Sequence, residues 1–262
     1  MDAYGVKPKL VFFFRRQNIG PLLISEQTVR DLLTMEEAIA AIEKVTNDQY
    51  LGNAVNYPRT HNYAGAGRYI ATMQAVAYSL GVFGFKTYTI VPGRQCYFVY
   101  LYSLETGSLL TILEANTLGQ YRTGAATGVS VKYLSRENSS SVALIGSGFQ
   151  ARTQLEAVCK VRSLRSVKVF SPNRSNRSSF AEEMSRHLEI NVRPVNSPSL
   201  ALEASDIIIT ITSSNTPVFS NCDLEPGVHI AAVGGANPYV REIEVDVLKK
   251  ADLIVADDVA QL

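Results

Sequence analysis

A glycine-containing turn between an apolar run and a helix is the sequence feature most directly tied to chemistry. Residues 141–145 are apolar apart from Ser141, and the run breaks into Gly146-Ser147-Gly148 before a helical pattern begins near Ala151. Gly146 permits a tight turn, Gly148 lets the backbone approach a ligand, and Ala151 takes the third position of the G-x-G-x-x-G/A pattern. A helix that starts here points N–H groups and its positive dipole end at an anion. The spacing predicts a pyrophosphate-binding turn for a dinucleotide.

The end of the following strand bears on which dinucleotide binds. An acidic residue there would hydrogen-bond a free ribose 2′-hydroxyl, whereas arginine with small polar neighbours accepts a 2′-phosphate. The segment after Phe170 contains Ser171, Asn173, Arg174 and Arg177 and no carboxylate. The two arginines favour a 2′-phosphate, although a solvated basic helix start has the same composition. We predict NADP as the cofactor, with NAD as the alternative.

The composition limits the function classes. The chain has 262 residues, 46% of them hydrophobic and 19% charged, with a formal net charge of +1. This charge argues against binding to nucleic acid or to an anionic membrane, which needs a strong basic field. The three cysteines form no C-x-x-C pair, which favours a reducing cytoplasm, and the three histidines show no metal-ligand spacing. We expect a cytoplasmic globular protein without a metal site.

The first part of the chain combines a helix with a run of strands. Thr34 and Glu37 predict a capping box, and an apolar stripe follows it. The pattern then predicts a hairpin turn at 105–108 and four strands, at Tyr69–Val76, Val82–Thr89, Cys96–Tyr102 and Leu109–Leu113. Successive strands of this kind indicate an antiparallel or mixed sheet.

The second part alternates strands with helices. Residues 117–134 are predicted to be helical and to lead into it. After the glycine turn, helices are expected at Ser178–His187 and Leu200–Ala204, and strands at Val167–Phe170, Asn191–Val195, Asp206–Ile211, Val228–Val233 and Asp252–Ala256. This alternation is typical of a Rossmann-type doubly wound parallel sheet. The fold class is therefore α/β, with a smaller α+β domain before the Rossmann domain.

Several segments together resemble the ornithine cyclodeaminase/mu-crystallin family from about Pro21 onward. The matching segments are Arg122–Thr127, Val142–Gln150, Ala204–Ser214, Leu224–Gly235 and Arg241–Ile243. The resemblance implies a substrate-binding and dimerisation domain at residues 1–120 and an NAD(P)-binding Rossmann domain at residues 121–262. It also implies a homodimer, with the active site in the cleft between the two domains.

Family members act on small amino acids or cyclic imines by hydride transfer at carbon 2, and three cationic residues match their functional positions. The resemblance implies that Arg59 and Arg122 bind the substrate carboxylate, for which planar bidentate pairing is suited. It implies that Lys86 is the catalytic proton donor or acceptor. A lysine beside two arginines in a closed cleft should have a lowered pKa. A surface charge is the alternative for each of the three.

The resemblance further implies a set of cofactor contacts. Besides Gly146, Gly148, Asn173, Arg174 and Arg177, these are Arg122, Thr123, Phe149, Gln150, Thr212, Val233 and Gly234. Thr212 and Val233-Gly234 stand where strands deliver their carboxyl ends to the nicotinamide side of an open sheet.

Two departures from the family pattern refine the expected activity. Ala236 replaces the aspartate that activates water in cyclodeaminases, and alanine cannot accept a proton. The chain also stops at Leu262, so the family's C-terminal return segment is expected to be absent. We therefore expect a reductase or dehydrogenase for a small imino or amino acid, such as a cyclic ketimine, rather than an ornithine cyclodeaminase. A non-catalytic NADPH-dependent ligand-binding protein of the mu-crystallin type is the alternative.

Overall fold

The structure, a computed structural model, describes residues 20–220, 224–234 and 241–257. Within these ranges the chain forms two β-sheets, and one long helix leads from the first to the second. In this part of the chain no helix is long and apolar enough to cross a membrane.

The first sheet contains seven strands. Their bounds are β1 (Leu22–Ile24), β2 (Ala54–Asn56), β3 (Thr60–Gly65), β4 (Arg68–Ala77), β5 (Val82–Val91), β6 (Arg94–Ser103) and β7 (Leu109–Glu114). The order is β1-β7-β6-β5-β4-β2, and β3 also pairs with β4. Only the β1–β7 pair among these is parallel. The four strands and the hairpin turn predicted between Tyr69 and Leu113 are confirmed.

Side-chain alternation gives this sheet two different faces. Lys86 and Tyr88 lie on one face of β5, together with Tyr97, which is the cross-strand partner of Tyr88. Phe85 lies on the opposite face, where its ring stacks on that of Tyr100 with 4.7 Å between the centroids. One face thus carries a cation among aromatic rings, and the other carries aromatic rings.

Three helices accompany the first sheet, namely α1 (Glu26–Leu32), α2 (Met35–Tyr50) and α3 (Asn116–Leu134). The predicted capping box is present, because Thr34 and Glu37 bond reciprocally at the start of α2. Helix α3 has no capping side chain of its own. The Glu26 carboxylate of α1 instead accepts from the amides of Asn116 and Thr117 at 3.0 and 2.6 Å. The start of α3 is therefore fixed by a residue about 90 positions earlier.

The second sheet is entirely parallel. Its strands are β8 (Ser141–Ile145), β9 (Ser166–Phe170), β10 (Val192–Pro194), β11 (Ile207–Thr210) and β12 (His229–Ala232), in the order β10-β9-β8-β11-β12. The accompanying helices are α4 (Ala151–Val161), α5 (Arg174–Leu188), α6 (Pro198–Leu202) and α7 (Val245–Lys249). Leu144 and Ile145 lie in separate buried clusters on the two faces of the sheet. The doubly wound α/β fold is confirmed.

The expected strand at Asp252–Ala256 is absent. Leu253, Ile254 and Val255 are 60–68% exposed, and no strand of the described ranges pairs with them. The apolar run has the composition of a strand. A strand also needs a neighbouring strand to pair with its backbone N–H and C=O groups, and composition does not predict whether one is present.

Helix α3 packs closely against α4. A Cβ atom at Gly124 would lie 2.4 Å from the Thr153 carbonyl oxygen, and one at Gly128 would lie 3.2 Å from the Ala157 side chain. The absence of side chains at these positions lets the two helix backbones meet. Met35 and Ile39 of α2 pack on the same contact. The expected domain boundary after residue 120 thus falls inside a helix that packs against both parts of the chain.

Candidate active site

The glycine turn after β8 has the geometry that the sequence predicts. Gly146 has a φ of +119°, and a Cβ atom on it would lie 2.2 Å from the Ile211 carbonyl oxygen. Its amide donates to the Phe170 carbonyl at 2.8 Å. Both the backbone conformation and the close approach exclude a side chain here. Gly146 therefore fits the turn between the adjacent ends of β8, β9 and β11.

The space beyond Gly146 fits a phosphate-containing ligand. Apart from its chain neighbours, no atom of the described residues lies within 4 Å of a Cβ atom built on Gly148, so their packing does not require glycine there. Phe149 is about half exposed, and Gln150 immediately precedes α4. An open space at a helix N-terminus, where backbone N–H groups are available as donors, matches the needs of a pyrophosphate.

Asn173 and Arg174 begin the helix after β9. The Asn173 side chain accepts from the Asn176 amide at 3.0 Å and caps α5. Arg174 occupies the first turn and is exposed. The structure therefore gives Asn173 a capping role and leaves the Arg174 guanidinium open to solvent at the end of the strand.

Arg177 is engaged within the protein, contrary to the expectation that it faces a 2′-phosphate. It is 7% exposed, and its guanidinium donates to the Ser171 carbonyl at 2.9 Å and to Asn196 Oδ1 at 2.8 Å. Helical periodicity turns this side chain inward, although it lies only three residues after Arg174. Arg177 shapes the loop after β9.

The three predicted substrate-site cations lie close together at the face of the first sheet that carries Lys86 and Tyr88. The Lys86 ammonium lies 5.2 Å from the ring centroid of Tyr88 and 5.3 Å from that of Tyr97. The Arg59 guanidinium lies 5.9 Å from the Tyr88 centroid, so Arg59 and Lys86 share this ring. Arg122 on α3 is close enough to perturb the titration of Lys86. Tyr88 and Tyr97 are site residues that sequence reasoning missed, although their alternation with Lys86 could have indicated them.

Burial and mutual repulsion alter the acidity of these cations. Burial, followed by the charges of Arg122 and Arg59, lowers the pKa of Lys86 to about 8. Burial and the Arg59 charge also lower the pKa of Arg122, while Asp257 acts in the opposite direction. Among the residues that the structure describes, the buried Arg59 Nε atom has no hydrogen-bond partner. Three like charges that lie close together and are largely buried form an arrangement that a bound anion would stabilise.

Helix α3 links this cation cluster to the glycine turn. The Gln120 side chain donates to the Phe149 carbonyl in the turn, and the Thr153 hydroxyl donates to the Gln120 carbonyl at 3.1 Å. Arg122 lies two residues after Gln120 on the same helix. The Thr123 hydroxyl donates to the Gly119 carbonyl at 2.7 Å, so its hydrogen is used within α3. Helix α3 therefore connects the cation cluster with the glycine turn.

Glu242 is a second feature that sequence reasoning missed. Its carboxylate is 3% exposed and accepts from the amide and the hydroxyl of Thr212 and, at 2.9 Å, from the Gly234 amide. The Val233 amide donates to the Thr210 carbonyl at 2.9 Å. Thr212, Val233 and Gly234 are thus together at the carboxyl edge of the sheet, and one buried carboxylate joins them. The sequence offered only the presence of Glu242 in a family segment.

Residues 21–262 match the sequence model of the ornithine cyclodeaminase/mu-crystallin family. The chain belongs to this family. This confirms the resemblance drawn from the five matching sequence segments.

Three proteins illustrate the similarity of this chain to known relatives. The alanine dehydrogenase of Archaeoglobus fulgidus is 32% identical, over 90% of this chain and 74% of that protein. The Thermococcus litoralis Delta(1)-pyrroline-2-carboxylate reductase, solved with NADH and L-proline, is 33% identical with a TM-score of 0.82, over 88% and 74% of the two chains. An archaeal alanine dehydrogenase dimer with bound NAD is 31% identical with a TM-score of 0.86, over 92% and 75%.

The replacement of the cyclodeaminase aspartate by alanine is known from the sequence alone. Ala236, which stands at that position of the ornithine cyclodeaminase/mu-crystallin pattern, lies outside the residues that the structure describes. The expectation drawn from it stays a prediction.

The pH dependence of Lys86 tests the cation cluster directly. We expect its ammonium to lose its proton near pH 8, because burial and two like charges disfavour the charged form. Arg59→Met removes one like charge, so the midpoint should move upward. The measurement is an NMR titration of ¹³C-labelled lysine, with Lys86→Met used to assign the signal.

The exposed Arg94 provides the matched control for that titration. Arg94→Met should leave the midpoint of Lys86 unchanged. A wild-type midpoint near 10.5, the ordinary value for lysine, would contradict the proposed environment.

Proposed function

We propose that this protein is an NADP-dependent reductase that adds hydride to carbon 2 of a small imino acid. The substrate is a cyclic ketimine such as pyrroline- or piperideine-2-carboxylate, or the imine of a 2-oxo acid and an amine. The observation that carries the proposal is the Arg59, Lys86 and Arg122 cluster, which α3 joins to the dinucleotide turn. The broader class, an oxidoreductase that uses a nicotinamide cofactor, is shown by the relatives.

The two arginines bind and orient the substrate. Arg59 and Arg122 supply planar donors for the carboxylate, and the unpartnered Nε of Arg59 gains an acceptor when an anion is present. Anchoring the carboxylate places carbon 2 at a defined distance from the cofactor. The negative charge of the substrate carboxylate also offsets the repulsion among the three cations, and this stabilises the bound substrate.

Lys86 acts as the proton donor to the substrate nitrogen. Hydride, which the bound nicotinamide supplies, adds to carbon 2, and the imine nitrogen must then gain or keep a proton to become an amine. The Lys86 ammonium donates that proton and is recharged from solvent. A pKa of about 8 makes the proton easier to release near neutral pH than that of an ordinary lysine. In the oxidative direction the neutral lysine accepts it.

The activity test uses a panel of imino acids with both cofactors. We expect oxidation of NADPH with pyrroline-2-carboxylate, piperideine-2-carboxylate or a 2-oxo acid plus methylamine, followed by absorbance at ~340 nm. Lys86→Met should lower kcat by about 10²-fold or more, since it removes the proton donor, and should leave the affinity for NADPH largely intact. Lys44→Met, which changes a surface lysine on α2, is the control.

Two results would contradict the proposal. Unchanged turnover in Lys86→Met would remove the lysine from the chemistry. If the wild type binds NADPH but oxidises it with no substrate of the panel, the result would favour the non-catalytic ligand-binding alternative.

The NADP preference is attributed to Arg174. It is exposed where the 2′-phosphate of NADP would lie, and no carboxylate occupies the end of β9. Arg174→Ala should raise KM for NADPH by about tenfold through loss of a charge-assisted contact, with little change for NADH. The nearby exposed Arg193 on β10 gives a control, Arg193→Ala. Comparable or better wild-type kcat/KM with NADH would contradict the preference.

We also propose that the protein is a homodimer that associates through the face of the first sheet that carries Phe85. Phe83 and Tyr102 stack there at 5.5 Å, beside the Phe85–Tyr100 pair, and all four rings are partly exposed. A row of flat aromatic rings suits a self-complementary interface. A related archaeal alanine dehydrogenase is a dimer.

A charge on this face tests the dimer. Tyr100→Glu should shift the mass measured by light scattering from dimer to monomer, because it buries a carboxylate without a partner. Tyr50→Glu places the same charge at an exposed position on α2 and should leave the mass unchanged. A dimer that persists in Tyr100→Glu would place the interface elsewhere.

A further inference from the structure

The Glu242 carboxylate connects the carboxyl ends of two neighbouring parallel strands. One oxygen accepts from both the amide and the hydroxyl of Thr212, just after β11, and the other accepts from the Gly234 amide, just after β12. The packing leaves no room for a side chain at Gly234, where a Cβ atom would lie 2.4 Å from the carboxylate. The contact therefore requires glycine at position 234.

The chemistry of a carboxylate explains why glutamate is needed here. Its two oxygens only accept hydrogen bonds, so they can satisfy three donors at once. An amide of the same shape has one acceptor oxygen, and its nitrogen would face an N–H or O–H donor. Loss of a buried acceptor also leaves the Thr212 amide without its acceptor oxygen, which is costly in the interior, whereas the Gly234 amide keeps a contact with the Thr210 carbonyl at 3.2 Å. Glutamine should thus loosen this edge without altering the volume.

The place of Glu242 in the sheet connects it with the cofactor. The order β9-β8-β11-β12 puts the Arg174 end of β9 on one side of the glycine turn and the Glu242 contact on the other. In an open parallel sheet a dinucleotide lies across the carboxyl ends of the strands. With its adenosine half at β9 and its pyrophosphate at Gly146, the remaining half extends toward β11 and β12.

We propose that Glu242 is a positioning residue that fixes the nicotinamide ring by holding Thr212 and Gly234 together beneath it. The inference rests on the proposed function, because it requires a dinucleotide at this edge. Glu242 acts through the two strand ends and does not touch the reacting atoms. Its removal should displace the nicotinamide half and leave the adenosine and pyrophosphate contacts in place.

The test is Glu242→Gln with two readouts. Bound NADPH should lose at least about half of the fluorescence enhancement that a rigidly held nicotinamide shows in the wild type. Its Kd, measured by calorimetry, should change by less than about threefold. The rate of imine reduction at saturating NADPH should fall by about 10- to 100-fold, since small misplacement of reacting groups is costly. Glu225→Gln, at an exposed glutamate, is the control and should match the wild type in all readouts.

A second variant guards against a folding defect. If melting curves show that Glu242→Gln does not fold, Thr212→Val removes one donor from the contact with little change in shape. Thr212→Val should then give a smaller loss of fluorescence and rate, again at nearly constant Kd. Wild-type fluorescence and rate in the variant that folds would overturn the inference, as would a Kd that rises in step with the loss of rate.

The outcome is separable from that of the proposed function. If the wild type binds NADPH but reduces no imine, the proposed function fails while the fluorescence contrast still decides the role of Glu242. If the wild type binds neither NADPH nor NADH, both are overturned.

Discussion

The site depends on the close approach of α3 to α4, which glycine makes possible. Gly124 meets the Thr153 carbonyl where any side chain would collide, and the neighbouring Gly128 meets Ala157. This contact places Gln120 against the glycine turn and carries Arg122, two residues further on, to the cation cluster. A helix held less tightly would separate Arg122 from the glycine turn. The motif around Arg122 therefore combines packing and chemistry in adjacent residues.

The cation cluster carries an electrostatic cost. Lys86, Arg59 and Arg122 repel one another, and burial further disfavours their charges. The aromatic rings of Tyr88 and Tyr97 offset part of this cost through their negative faces. The remainder is available to bind an anion. The same arrangement keeps the pKa of Lys86 at about 8, within reach of neutral pH.

Much of the framework follows from sequence because its causes are local. The turn at Gly146 requires glycine for its φ and for the approach of Ile211, and such requirements leave a pattern in a few adjacent residues. Arg177 and Glu242 do not show their roles in this way. Arg177 faces inward because of its position on α5, and Glu242 meets a donor 30 residues away. The run at Asp252–Ala256 has strand composition but lacks a partner among the described residues. Long-range contacts decided each of these cases.

The groups assembled in the described part of the site also bear on the type of reaction. The two arginines serve as hydrogen-bond donors at any physiological pH, and Lys86 is mainly protonated below about pH 8. Such a site can hold a carboxylate and protonate a nitrogen, as imine reduction requires. Removing an amino group with water requires in addition a base that activates the water. The alanine at position 236 cannot provide that base, so sequence and electrostatics together favour reduction over cyclodeamination.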